Sequence, residues 1–139
     1  MQSKRWMLLL LVLCGFTLGM GRMGGDQVVD LPEPEVNYRV TLVDQADVSM
    51  ELEKFSCDGL TYLSGTLGKA DISIDFEKIR SIFFIFDDNR LKANVHLNDG
   101  RTTTILVDKK QPCYGVSSFA DVKIEMQNIK TLTLHGKAP

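Results

Sequence analysis

The chain has 139 residues, 44% of them hydrophobic and 24% charged, with 16 Lys and Arg against 18 Asp and Glu. That length suits one small globular domain or two very small ones, and the composition excludes disordered, collagen-like and multi-span membrane chains. A formal net charge of -2 offers nucleic acid no basic surface.

Lys4 and Arg5 precede the apolar run Trp6 to Leu13, which thins out towards Leu18. A basic start followed by a short apolar stretch reads as a secretory signal peptide over residues 1–21, with Gly19 and Gly21 as the small residues before a cut at Arg22. Broken by Gly15 and Gly19, the run falls short of the ~20 apolar residues that cross a bilayer, so a retained membrane anchor is the lesser alternative. Lipidation of Cys14 is disfavoured, because Leu13 stands where a small residue is needed. The expectation is a periplasmic or secreted protein that meets a membrane only if its N-terminus is retained or lipidated. Removing residues 1–21 leaves 14 basic against 18 acidic side chains, a net charge of -4.

Residues 22–37 contain Gly24-Gly25 and Leu31-Pro32-Glu33-Pro34-Glu35. Glycine resists packing and alternating proline favours an extended path, so this stretch reads as a flexible linker.

From Tyr38 onwards branched and aromatic residues alternate with polar ones between turn residues, and no segment keeps a helical period. The pattern predicts strands at Tyr38–Val43, Val48–Phe55, Leu60–Leu63, Ala70–Asp75 and Ser81–Phe86. It predicts five more at Ala93–Leu97, Thr102–Val107, Tyr114–Ser118, Val122–Glu125 and Thr131–His135.

The segment Ala70 to Ile82 matches Ala120 to Leu132 at every apolar position, with a constant offset of fifty. Upstream, Val40-Thr41-Leu42-Val43-Asp44 is set against Val95-His96-Leu97-Asn98-Asp99, and Cys57-Asp58-Gly59 against Cys113-Tyr114-Gly115. These matches make the β-domain, 38–139, an internal repeat with halves at about 38–86 and 91–135. The expected fold is all-β: two tandem, related five-stranded units sharing a core, either as small barrels or as one interlocked β-sandwich.

In each half a short turn, Phe76-Glu77-Lys78 or Met126-Gln127-Asn128, ties the last two strands together. This order of a long hairpin, further strands, one helical turn and a closing strand resembles an SH3-like or Sm-like small barrel. The whole chain is similar to small exported bacterial β-repeat proteins of no assigned activity. That resemblance implies an envelope setting and carries no functional residue.

Asn98-Asp99-Gly100 is a hairpin signal, since Asp-Gly accepts positive φ. Asp87-Asp88-Asn89 lacks the spaced acidic ligands of a calcium loop and reads as a solvated turn. Ser81-Ile82-Phe83-Phe84-Ile85-Phe86, apolar on both faces, suits a central strand covered on two sides, with an exposed adhesive strip as the alternative. Cys57 and Cys113 fall at similar points of the two halves, and an oxidising compartment favours their disulfide across a pseudo-two-fold axis.

No catalytic or metal constellation is recognisable. His96 and His135 lack the spacing of a zinc site, no nucleophile motif or phosphate loop occurs, and no cofactor is implied. The expected function is therefore a non-enzymatic exported binding module for a protein or envelope polymer. Its expected binding surface is the hairpin tip Asn98, Asp99 and Arg101 with an edge strand at Thr102, Thr103 and Thr104. The alternatives are a structural accessory subunit of an envelope assembly and, less favoured, a thiol redox protein.

Overall fold

The computed structural model describes residues 28–139. The expected signal peptide, Cys14 and the first part of the linker lie outside the described residues.

Ten antiparallel strands follow in chain order: β1 (Tyr38–Asp44), β2 (Ser49–Cys57), β3 (Tyr62–Leu67), β4 (Ala70–Asp75), β5 (Ile79–Asp87), β6 (Arg90–Leu97), β7 (Thr102–Val107), β8 (Pro112–Val116), β9 (Asp121–Glu125) and β10 (Ile129–Lys137). Single 3-10 turns, Phe76–Lys78 and Met126–Asn128, join β4 to β5 and β9 to β10. The strands form one sheet in the order β4-β3-β7-β6-β5-β10-β1-β2-β8-β9, curled into a half-barrel around a single core.

The fold is all-β as expected, but the sheet order does not separate into two tandem five-stranded units. The first half supplies β1 to β5, yet β3, β4 and β5 flank β6 and β7 of the second half, while β1 and β2 lie between β10 and β8. Each side of the sheet is built from both halves. Its centre is the antiparallel pair β5 and β10, where Ile82 faces Leu132 and the flanking pairs are Ser81 with Thr133 and Phe83 with Thr131.

The offset of fifty survives in three dimensions. Phe76 and Met126, Ile79 and Ile129, Ile82 and Leu132, and Phe84 and Leu134 are all buried counterparts. The upstream match needs correction. The pairs Val40 with Leu52 and Ala93 with Ile105 occupy equivalent places, so the first hairpins are related by an offset of 53, and Leu42 answers Val95. The halves therefore differ in length between Glu53 and Thr61. There β2 carries a bulge, with Lys54 at φ 51 and its N–H donated to Asn37 Oδ1 at 2.7 Å.

Local chemistry explains the hairpins. Asp88 and Asn89, both at positive φ, make the tight β5–β6 turn between Asp87 and Arg90. Gly100 at φ 92 closes the β6–β7 turn, and Asp47 at φ 62 holds the equivalent place between β1 and β2. Each of these first hairpins docks on the other half's 3-10 turn. Gln45 N–H donates to Asn128 O at 2.8 Å, and Asn98 N–H donates to Lys78 O at 2.9 Å.

Phe76 closes the curl by packing against Tyr38 and Phe55, each at a ring-centroid distance of 5.7 Å. The described part of the expected linker lies on this body. Pro34 is buried, Glu33 pairs with Lys54 at 3.4 Å, and Asn37 O accepts from Ala138 N–H.

Candidate functional site

Strand alternation sends Ile82 and Phe84 of β5 into the core and turns Phe83 and Ile85 outward. Covering of both faces is thereby corrected: β5 is central in the sheet, but Phe83 and Ile85 are 44% and 54% exposed on its outer face. No layer sits over them among the described residues, because the sheet curls away from this side. Beside them on β6, the His96 ring meets Phe83 edge-on at 5.6 Å, and Thr102 Oγ1 lies 3.3 Å from His96 Nδ1. Thr104 Oγ1 donates to Asn94 Oδ1 at 3.4 Å in the next cross-strand pair. The result is an apolar strip rimmed by hydroxyl, amide and imidazole groups.

The residues expected at the binding surface divide. Thr102 and Thr104 border the strip, whereas Thr103 shares the inward face of Ile105. β7 runs between β6 and β3 and the outermost strands are β4 and β9, but the ladder between β7 and β3 is the single pair Leu106 with Thr66, so Thr102–Thr104 pair with β6 alone among the described residues. Asp99 and Arg101 bind each other at 2.6 Å, and the Arg101 hydrogen bond holds the Asp99 carboxyl below its ordinary range. Asn98 serves the fold, since its side-chain amide donates to Glu77 O at 2.7 Å. Asp87, at the start of the Asp87-Asp88-Asn89 turn, is tied to Lys92 at 2.6 Å.

A second concavity lies on the same outer face at the other side of the sheet. A cleft of about 670 Å³ is lined by Arg39, Glu51, Leu52, Glu53, Val116, Ser117, Ser118 and His135. Thr41 donates to Glu51 Oε1 at 2.8 Å and lies 2.6 Å from His135 Nε2, on the wall formed by β10, β1 and β2. Sequence reading missed this group because its members come from four strands that are distant along the chain. Among the described residues no cluster of three or more His, Cys, Asp or Glu side chains is placed to hold a metal ion.

Cys57 and Cys113 are disulfide-bonded, as directly opposite residues of β2 and β8. Their pairing comes from the seam between the halves and not from a shared position. Cys113 answers Leu63 at the offset of fifty, while Cys57 lies where the halves differ in length. Both cysteines are buried. A buried cystine is compatible with an oxidising, exported setting.

Residues 34–137 match the model of a family described as an uncharacterised protein. No curated protein and no solved structure matches the chain.

Proposed function

The chain belongs to that family of uncharacterised proteins, and from a premise that brings no activity with it we propose a non-enzymatic, exported β-domain that binds a protein or envelope polymer. The outer strip of Phe83 and Ile85 carries the reading. Two large apolar side chains facing water on a central strand add nothing to the core, and contiguous exposed apolar surface with a polar rim is the usual mark of an interaction site. Thr102, Thr104 and His96 supply that rim.

The sheet edges support an accessory-subunit role less well. Asp71 and Asp75 on β4, and Asp121, Lys123 and Glu125 on β9, set charge along both edges, which opposes uncontrolled strand addition. Burial of Cys57 and Cys113 favours a staple over an exchanging thiol pair. Within this reading each half keeps the small-barrel order of elements, and we take the fold as two SH3-like or Sm-like units that have exchanged strands.

The test is a photo-crosslinking phenylalanine analogue placed at Phe83 in the producing cell, with Ser73 of β4 as the control position. A discrete adduct at Phe83 and none at Ser73 is expected. No adduct at Phe83, or the same adducts at both positions, overturns the proposal.

A further inference from the structure

The β2–β8 ladder stops at Glu53 and Val116. Before that point Ser49 to Leu52 pair with β1 alone, through Val43 with Ser49 and Val40 with Leu52. Asp44 N–H donates to Val48 O at 3.0 Å, which fixes the phase of the ladder. In an antiparallel pair every second residue bonds the same neighbour, so Met50 and Leu52 point their main-chain groups at β1. Ser49 and Glu51 then aim theirs the other way, into the cleft, where no strand of the described residues meets them.

The opposite wall is the end of β8 with Ser117 and Ser118, so the cleft is a split between two neighbouring strands. Its volume of about 670 Å³ lies within the ~300–1,000 Å³ of ordinary ligand sites. Glu51 and Glu53 stand on the outer face of the open strand, and neither makes an ion pair among the described residues. Arg39 and His135 stand one and two strands further away, on β1 and β10. A segment laid along Ser49 to Leu52 would bring one side chain within about 4.5–5.5 Å of Glu51 at Cβ and about 7–8 Å, diagonally, from Glu53, whose directly opposite place is held by Val116, and would turn the alternate side chains towards Leu52.

We propose that this cleft accepts an extended polypeptide segment as an added strand on β2, with basic side chains at alternate positions, one of them opposite Glu51 and diagonal to Glu53, and apolar ones between. The open Ser49 and Glu51 main chain supplies affinity, and the two carboxylates select the sequence. This surface is separate from the Phe83 strip, so either can fail without the other.

The probe is a capped hexapeptide of alternating Lys and Val, titrated into the purified protein while amide hydrogen exchange is followed by NMR. Expected are slowed exchange at Ser49 and Glu51, and about a three- to tenfold loss of affinity in Glu51→Gln with Glu53→Gln, the scale of two exposed ion pairs. Phe83→Ser should leave the titration unchanged. The same residues in block order, or N-methylated at alternate amides, should bind far more weakly. Equal binding of either peptide, or binding without protection of Glu51, overturns the proposal.

Discussion

Ile82 and Leu132 face each other at the centre of the sheet, fifty residues apart, and each is the other's counterpart in the repeat. Their neighbours exchange about this pair, Ser81 with Thr133 and Phe83 with Thr131, so the local two-fold relation of the halves passes through it. Both side chains are fully buried. Ile82→Ala and Leu132→Ala should each destabilise the fold by about 2–5 kcal/mol, and by similar amounts, because each cavity opens in an equivalent environment. Urea unfolding of the two variants checks this.

Gly65 on β3 and Gly115 on β8, also fifty residues apart, sit at the two seams where the halves meet, β3 with β7 and β8 with β2. A Cβ on Gly65 would meet the Leu106 carbonyl oxygen, and one on Gly115 would meet Leu52 Cβ at 2.9 Å. Main chain cannot yield as a side chain can. Gly65→Ala should therefore cost more than Gly115→Ala, about 3 kcal/mol or above against about 1–3 kcal/mol. Equal denaturation midpoints for the two would contradict this account of the seams.

The cystine closes a sequence separation of 56 residues and ties β2 to β8. Reduction should lower stability by about 4 kcal/mol in the chain-entropy model. The equivalent seam between β7 and β3 has only the ladder pair Thr66 with Leu106, so its protection from hydrogen exchange should not depend on reductant until the whole fold opens. Exchange measured with and without reductant separates the two seams.

Burial and the neighbouring Asp75 carboxylate push the Tyr38 hydroxyl up from 10.0 to about 12. It donates to Asp75 Oδ1 at 3.3 Å. A folded value above the unfolded one means that the fold favours the neutral phenol. Its contribution is complete below about pH 10 and is lost as pH rises towards about 12. Tyr38→Phe should flatten the alkaline fall in stability across that window, read from urea midpoints in a pH series.

Ser56 is buried beside the cystine, and its hydroxyl has no hydrogen-bond partner among the described residues. Ser56→Ala removes an unsatisfied polar group at almost constant volume. It should be neutral or stabilising by up to about 1 kcal/mol, and a clear loss of thermal stability would point to a partner for that hydroxyl.

The candidate surfaces were legible only in part. Apolar residues on both faces of Ser81–Phe86 left core and adhesive strip as rival readings, since a strand's own residues do not say whether a second layer covers it. The tip residues Asn98, Asp99 and Arg101 were visible as a turn, but Asn98 is committed to Glu77 and Asp99 to Arg101. The glycine pair stands at the same offset as the best-matched segment, but aligning the cysteines sets Gly115 against Gly59 and hides it.

By itself the sequence determined the strands, the hairpin turns and the repeat. Alternation and turn chemistry act over a few residues, which is why Ala70–Asp75 and Thr102–Val107 are observed with the expected bounds. Only the tertiary structure decided which strands are neighbours. Pairings such as β2 with β8 and β3 with β7 join residues tens of positions apart, and the alternation of a strand is the same whichever partner it takes. The interleaving of strands from the two halves, the asymmetric cystine, the open edge at Ser49–Glu51 and the uncovered strip at Phe83 all follow from that choice.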